Sequence, residues 1–586
     1  MSYSPADQKK LFFREIREKI EFSQDEQVRD SRRPHDMRIR DGHLAGTFIA
    51  EKPAWRSSDG LLHDRPTGKG ENVVIYRPED HPVDLGKFPD ADRVAIHLPG
   101  SEPGVTCVET RLVDYDAHRV ILALPPAWKG KIPKRILLGE VGAEFEQRLI
   151  RGLNMSPDWP APTPVKPLLA PLEDAKAILP LEDASVHQAL RLMMGDNDFC
   201  GIKGPPGTGK TRLLAHFVAY AAELGLKVGI VSLSHRAVNN ALNATLEVLG
   251  AKDISVTVMK LGANRDGLRP EIKSLSAQDA PDPLPIWGGT VHAAAGLFKS
   301  DKLAFDPYFQ SRRRDILIVD EAGQVPASYL ASLAYLAKRV ILFGDEDQLP
   351  PISAQPGREI ASGLKFLLQT RGEAWMRSLL VTHRLNSQLC HVVQKHYYPG
   401  LNLRAGSNST ARVHGDGQPS LGFIDVPHAN RTSRSDEEIA VIKTKVTELL
   451  TLRWSPGNAA PRPITPKDIM ILSPYRVQVA SLMVALEPLG LADQVGTVDR
   501  MQGQGAAVVI MSLTSSSPSY IANKCDWLFQ SNRLNVAISR AMAQCILVGN
   551  RKAIEDARPV SLGGVISRNA FLTLLDDCQR LPLLKA

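Results

Sequence analysis

Cysteine is scarce in this 586-residue chain. Only Cys107, Cys200, Cys390, Cys525, Cys545 and Cys578 are present, far apart and with no C-x-x-C pair. A zinc module, a cysteine-ligated iron–sulfur cluster and a disulfide framework are therefore not expected, and scattered thiols suit a reducing compartment. Also missing is any apolar run of the roughly 18 residues needed to cross a membrane. The opening Met1-Ser2-Tyr3-Ser4 lacks a signal-peptide pattern, so a cytoplasmic chain with no membrane partner is expected. Charge is not concentrated in one sign: 71 Lys and Arg stand against 64 Asp and Glu, a net +7. This balance permits a polyanionic partner without demanding one. No short-period repeat occurs, and the one biased tract is a proline cluster from Pro157 to Pro171.

What is present begins with Gly204-Pro205-Pro206-Gly207-Thr208-Gly209-Lys210-Thr211, which fits G-x-x-x-x-G-K-[ST]. Glycines let the backbone curl so that successive N–H groups point at phosphate oxygens, and the following helix adds the positive end of its dipole. Lys210 would reach the β- and γ-phosphates and the Thr211 hydroxyl would hold Mg²⁺. Phe199–Lys203 before the loop is a strand candidate, and Arg212–Tyr220 after it is a helical pattern, which is the setting a phosphate loop requires. An ordinary Gly/Pro turn is the plainer alternative. Asp320-Glu321 follows the apolar strand candidate Ile316–Val319. Asp320 there could hold Mg²⁺ through water, and Glu321 could accept a proton from an attacking water. A third turn, Gly344-Asp345-Glu346-Asp347-Gln348, follows the strand candidate Val340–Phe343, and Gln348 there could sense a γ-phosphate.

The rest of the chain divides by pattern. Ser4-Pro5-Ala6-Asp7 opens a helix in which Phe12, Ile16 and Ile20 share one face, giving a stalk over residues 1–34. Residues 35–138 carry short β runs (Gly46–Ala50, Asn72–Tyr76, Arg93–Leu98, Val105–Val113, Arg119–Leu124), the pattern of a small β-barrel. Such barrels bind nucleic acid, bind protein or act as spacers. Leu137–Leu153 reads as a returning helix, which with the stiff proline-rich linker makes up 139–171. Residues 172–372 alternate strands and helices around the P-loop, and 373–586 repeat the style with strand candidates Asp468–Leu472, Val508–Met511 and Cys545–Val548 but no second P-loop. Continuous apolar strands of this kind belong to parallel sheets covered on both faces, so the fold class is α/β.

These residues lead to a resemblance. Asp320-Glu321-Ala322-Gly323-Gln324 and Gly344-Asp345-Glu346-Asp347-Gln348-Leu349-Pro350 resemble motifs II and III of superfamily 1 helicases, most similar to subgroup 1B, which holds the nonsense-mediated-decay RNA helicase and its bacterial relatives. In the family's order there follow Thr382-His383-Arg384-Leu385-Asn386, Ser473-Pro474-Tyr475-Arg476-Val477-Gln478, Val495–Gln504 (motif V) and Asn532–Ala541 (motif VI). Ser232–Val238 resembles motif Ia, and Gly289-Thr290-Val291-His292 stands where motif Ib lies.

The resemblance implies two tandem RecA-like P-loop domains sharing one ATP, or another NTP, in their cleft. Lys210, Thr211, Asp320, Glu321 and Gln348 would come from the first domain, and Arg384 and Arg540 from the second. It also implies the N-terminal helical stalk and small β-barrel as appendages. The partner would be single-stranded or tailed nucleic acid, DNA or RNA, gripped with little sequence preference through residues such as Ser234, His235, Thr290, Ser473, Pro474 and Thr497. The activity would be NTP-driven helicase or translocase movement, 5′ to 3′. A clamp or protein-displacing remodeller, or a P-loop scaffold without nucleic acid, are the other readings.

Three positions depart from the pattern. Gly505 replaces the motif V glutamate that contacts the nucleotide sugar. His383 stands where a stacking tyrosine is common. Val186 occupies the adenine-reading position, with Gln188 two residues on. The interval 264–286 is short, so a helical insert between motifs Ia and II is expected to be reduced or missing.

Overall fold

A computed structural model describes residues 5–31, 44–57, 62–64, 70–79, 93–98, 108–115, 119–124, 132–140, 144–155, 183–262, 264–275, 285–298, 314–351, 360–415, 418–498, 501 and 503–583. Ser4, the tract 157–171 and Gln502 of motif V lie outside them.

The N-terminal helix Pro5–Ser31 buries Phe12 and Ile16, as their four-residue spacing requires. Phe12 meets the Phe366 ring edge-on at 5.2 Å, and the Glu15 carboxylate accepts from the Ser328 hydroxyl at 2.8 Å. The helix Glu144–Met155 lies beside it, and both pack on the short helix Ala327–Leu333.

Between these helices an antiparallel sheet runs in the order Leu62–His63, Leu44–Ser57, Gly70–Pro78, Val120–Ala123, Val108–Tyr115, Arg93–His97, Arg135–Glu140. Leu44–Ser57 also pairs with Arg135–Glu140, which closes six of the strands into a ring. Phe48, Val74, Tyr76, Ile96, Leu122 and Leu138 form its core. Residues from Leu137 to Glu140 are therefore strand, not the start of the returning helix. A short apolar run such as Ile136-Leu137-Leu138 suits either element, and pairing on both edges decides for strand. The helix begins only at Glu144.

The P-loop lies in an eight-stranded parallel sheet ordered Lys273–Leu275, Val258–Leu261, Ile286–Thr290, Val228–Ser232, Arg314–Val319, Ala337–Gly344, Phe199–Lys203, Met376–Ser378. Its central strands are buried along nearly their whole length, which explains their unbroken apolar runs. Among the described residues of the short 264–286 interval, the regular structure is the edge strand Lys273–Leu275 and the start of Ile286–Thr290. The sheet takes its last strand, Met376–Ser378, from beyond residue 372.

A second parallel sheet follows, ordered Val495–Gly496, Ile469–Leu472, Ala506–Ser512, Ala541–Gly549, Leu421–Asp425, Gln579–Leu581. Beneath one end sits a buried carboxylate, Glu438. It accepts from the Thr514 amide at 3.0 Å on each oxygen and from the Ser512 hydroxyl at 2.6 Å, and lies 2.9 Å from His428 Nε2. These bonds hold Thr514 at φ 71°, a left-handed conformation costly for a β-branched residue. Glu438→Ala would leave these partners buried and unpaired, and is expected to cost about 3 kcal/mol, read as a lower urea midpoint.

Candidate nucleotide site and interdomain cleft

Parallel-sheet geometry brings the P-loop, Asp320 and the 344–348 turn to one edge, because each follows the C-terminal end of a neighbouring strand. The Gly204 amide donates to Gly344 O at 2.9 Å, tying two of these turns together. Gly207 and Gly209 have φ of 74° and 82°, conformations that only glycine enters at little cost. Gly209 is the N-cap of the helix Lys210–Glu223. The Lys210 ammonium folds back to donate to Gly204 O.

Asp320 is buried, and its Oδ1 accepts the Glu321 amide at 3.0 Å. Burial, then the adjacent Glu321, push its carboxyl well above the ordinary range, and the Lys210 charge opposes them. Glu321 has φ 55°, a strained conformation for a non-glycine. The bond from Ala322 N to Phe343 O at 2.8 Å pins that turn. Gln348 is buried and donates to Asp345 Oδ2 at 2.7 Å.

The second half of the chain reaches the P-loop directly. The Thr382 hydroxyl donates to Pro206 O at 2.7 Å, and the His383 amide donates to Gly207 O at 2.8 Å. A Cβ at Gly207 would lie 2.4 Å from Arg384 Cβ, so the close approach itself requires glycine there. Gly207→Ala is expected to weaken this contact, read as greater protease sensitivity around residue 380 and lower nucleotide affinity.

Arg384 donates to Ser539 O at 3.3 Å, while Arg540 donates through Nε to Val536 O at 3.1 Å and through Nη1 to Gln504 O at 3.0 Å. Burial disfavours both guanidinium charges. Arg540 is disfavoured further by Arg384, and Glu321 across the cleft supports both. Two like charges, a half-buried Arg384 beside Gly207 and a buried Arg540, favour a bound anion. A side chain at position 505 would start 3.2 Å from Arg384 Nε, so Gly505 leaves that arginine its space.

The helix Ser531–Ile538 grips the 345–348 turn. Asn532 donates to Glu346 O at 3.3 Å and to Gln348 O, and Asn535 donates to Asp347 O at 2.9 Å. Tyr398 donates to Asp345 Oδ2 and accepts from Asn535 Nδ2 at 2.8 Å. The motif reading did not assign roles to Thr382, Tyr398, Asn532 and Asn535. The i, i+3 spacing of the two asparagines put them on one helix face, which was the available signal.

The side chains of other expected residues stand apart from the phosphate loop. Gln188 is exposed on the helix Ala184–Met194, while Val186 packs towards the core. His383 is exposed, with Nδ1 3.2 Å from the Ser407 hydroxyl. Ser234 and Thr290 accept from Ala237 N and Ala293 N at 3.1 Å as N-caps, and Thr290 is fully buried. The buried Ser473 hydroxyl lies 3.1 Å from Thr514 Oγ1. Thr290 and Ser473 thus shape loops with their hydroxyls rather than present them to solvent. His235, Pro474 and Thr497 are half-buried.

Two AAA domain families match the chain, one over residues 184–362 and the other over 363–552. The chain is 28% identical over 380 residues to the DNA replication ATP-dependent helicase/nuclease DNA2 of Gallus gallus, covering 62% of this chain and 35% of that protein. It is 21% identical over 428 residues to the DNA polymerase alpha-associated DNA helicase A of Schizosaccharomyces pombe, covering 64% of each. It thus spans about a third of the length of the DNA2 relatives. Among solved structures, the arterivirus nonstructural protein 10 helicase matches at 14% identity with a TM-score of 0.37, over 85% of this chain and 84% of that one. Both of these relatives carry the description of an ATP-dependent or DNA helicase.

Proposed function

We propose that the chain is an ATP-dependent helicase or translocase of subgroup 1B that moves 5′ to 3′ on single-stranded DNA or RNA. The observation that carries this reading is the junction at the P-loop: Thr382 and His383 bond its backbone, and the half-buried Arg384 and the buried Arg540 stand beyond it. Such a site can respond to a phosphoryl group only when both halves are in register, and this couples hydrolysis to domain movement.

The residues present fit a magnesium nucleotide. The buried Asp320 carries a carboxyl raised by burial, a condition that a cation relieves, and Thr211 supplies a second hard oxygen. Bound Mg²⁺ would neutralise charge on the phosphate oxygens. Glu321 would take the proton of the attacking water, Lys210 would turn from Gly204 O to the phosphates, and Arg384 and Arg540 would hold charge developing on the transferred group. The ring of strands and the two packed helices support the stalk-and-barrel reading of the N-terminal region. The subgroup and direction rest on the order and wording of the motifs.

The test is ATP hydrolysis with and without matched single-stranded DNA and RNA oligomers. Stimulation by at least one is expected; hydrolysis indifferent to both would overturn the proposal. Duplexes with 5′ and 3′ tails then read direction, and stimulated hydrolysis without strand displacement would favour the clamp or remodeller.

A further inference from the structure

Gln348 and Tyr398 donate to the same atom. The Gln348 carboxamide reaches Asp345 Oδ2 at 2.7 Å from within the first domain, and the Tyr398 hydroxyl reaches the same oxygen from the second. All three side chains are buried. Tyr398 is itself held by Asn535 Nδ2 at 2.8 Å, and the same Asn535 amide donates to Asp347 O at 2.9 Å. Its ring lies under Lys203, whose ammonium is 5.7 Å from the ring centroid and pairs with Glu346 and Asp347 at 2.8 and 2.6 Å. The aromatic ring is thereby fixed on one side by a cation that belongs to the strand feeding the P-loop.

This arrangement has a direction. An oxygen that accepts two short bonds holds each donor more loosely than one that accepts a single bond, because the two compete for the same electron density. With the second domain docked, Tyr398 shares Asp345 Oδ2 with Gln348, whose bond at 2.7 Å is then easier to exchange for a phosphate oxygen. When the domain withdraws, Asp345 holds Gln348 alone. Burial keeps water from substituting for either donor.

We propose that Tyr398, backed by Asn535, is a positioning residue that reports docking of the second domain to Gln348 through Asp345. This rests on the reading of the cleft as an ATP-hydrolysing site. The Tyr398 hydroxyl is taken up by Asp345 and Asn535, so its effect belongs on the chemical step rather than on nucleotide binding.

The experiment compares Tyr398→Phe, Gln348→Ala and the double variant in nucleic-acid-stimulated hydrolysis, with KM, kcat and equilibrium binding of a non-hydrolysable ATP analogue measured for each. Tyr398→Phe is expected to lower kcat roughly tenfold, with analogue affinity within twofold of the parent. The double variant is expected to be no slower than Gln348→Ala, since both changes act through one pathway. Losses that multiply in the double variant, or a kcat for Tyr398→Phe equal to the parent's, would overturn the proposal. Asp345→Asn keeps the side chain's size but weakens the shared acceptor, so adding Tyr398→Phe to it is expected to lower kcat no further; a further tenfold loss would also count against the proposal, and this comparison separates the pathway from a folding defect in Tyr398→Phe. If the parent protein itself hydrolyses no ATP, the functional reading fails; if it does and Tyr398→Phe matches it, only the positioning role fails.

Discussion

Arg540→Ala is expected to lower kcat about a thousandfold while leaving nucleotide affinity within severalfold, because an arginine at a transferring phosphoryl group acts chiefly on the transition state. The geometry favours so large an effect. Arg540 is buried, aimed by two backbone carbonyls, and its charge is disfavoured by burial and by Arg384. Negative charge gathering on phosphoryl oxygens would relieve that tension, so the arginine would contribute most when charge is greatest. Arg540→Lys keeps a charge but loses the planar fork held by Val536 O and Gln504 O, and should recover only a small part of the rate. Steady-state hydrolysis and analogue binding decide the matter. An affinity loss as large as the loss in kcat would move Arg540 from catalysis to binding.

Lys210→Ala is expected to abolish measurable turnover. Removing one donor from a developing phosphoryl charge costs about a hundred- to thousandfold in kcat, and here the lysine has a second task. Its charge opposes the upward shift of both Asp320 and Asp345, the latter standing at about 6. With Lys210 gone, both carboxyls move higher still, so a larger fraction of each is protonated near neutrality and Asp320 becomes a poorer cation ligand. Any residual activity should therefore rise with pH over a range where the parent is already level. A pH profile of residual hydrolysis checks this, and an acid limb unmoved or shifted downwards would contradict it.

The P-loop was legible because its chemistry needs glycine at fixed offsets before a helix, and few other structures do. Asp320-Glu321 and the 344–348 turn were legible because parallel strands bring their C-terminal ends to one edge. Arg384 and Arg540 had no such local signature; only the ordered motifs singled them out. Leu137–Glu140 look like helix in the sequence because the partners of the strand Arg135–Glu140, Leu44–Ser57 and Arg93–His97, lie about 40 to 90 residues earlier, and an apolar triplet carries no period of its own. The join of Asp345, Tyr398 and Asn535 was invisible for the same reason: hydrogen bonds across 53 and 137 residues leave no mark on local pattern. Ser234 and Thr290 show the converse, since a hydroxyl at the head of a helix suits a cap and a phosphate contact equally well until its bond is seen.

At Leu380 the backbone passes from partners in the first half of the chain to partners in the second. The Leu379 amide before it donates to Lys203 O at 2.8 Å, and the Leu380 amide donates to the Ser185 hydroxyl at 3.1 Å, both in the first half. Yet the Leu380 carbonyl accepts from Arg404 N of the second half at 2.8 Å. A crossing this short behaves as a pivot rather than a tether. On the proposed function, it would confine relative motion to rotation about a few backbone dihedrals and keep the arginines at a high effective concentration near the phosphate loop. Inserting a flexible spacer at residue 380 would lower that concentration and add slack, so that nucleotide turnover and mechanical advance would fall out of step even with every side chain of the cleft intact.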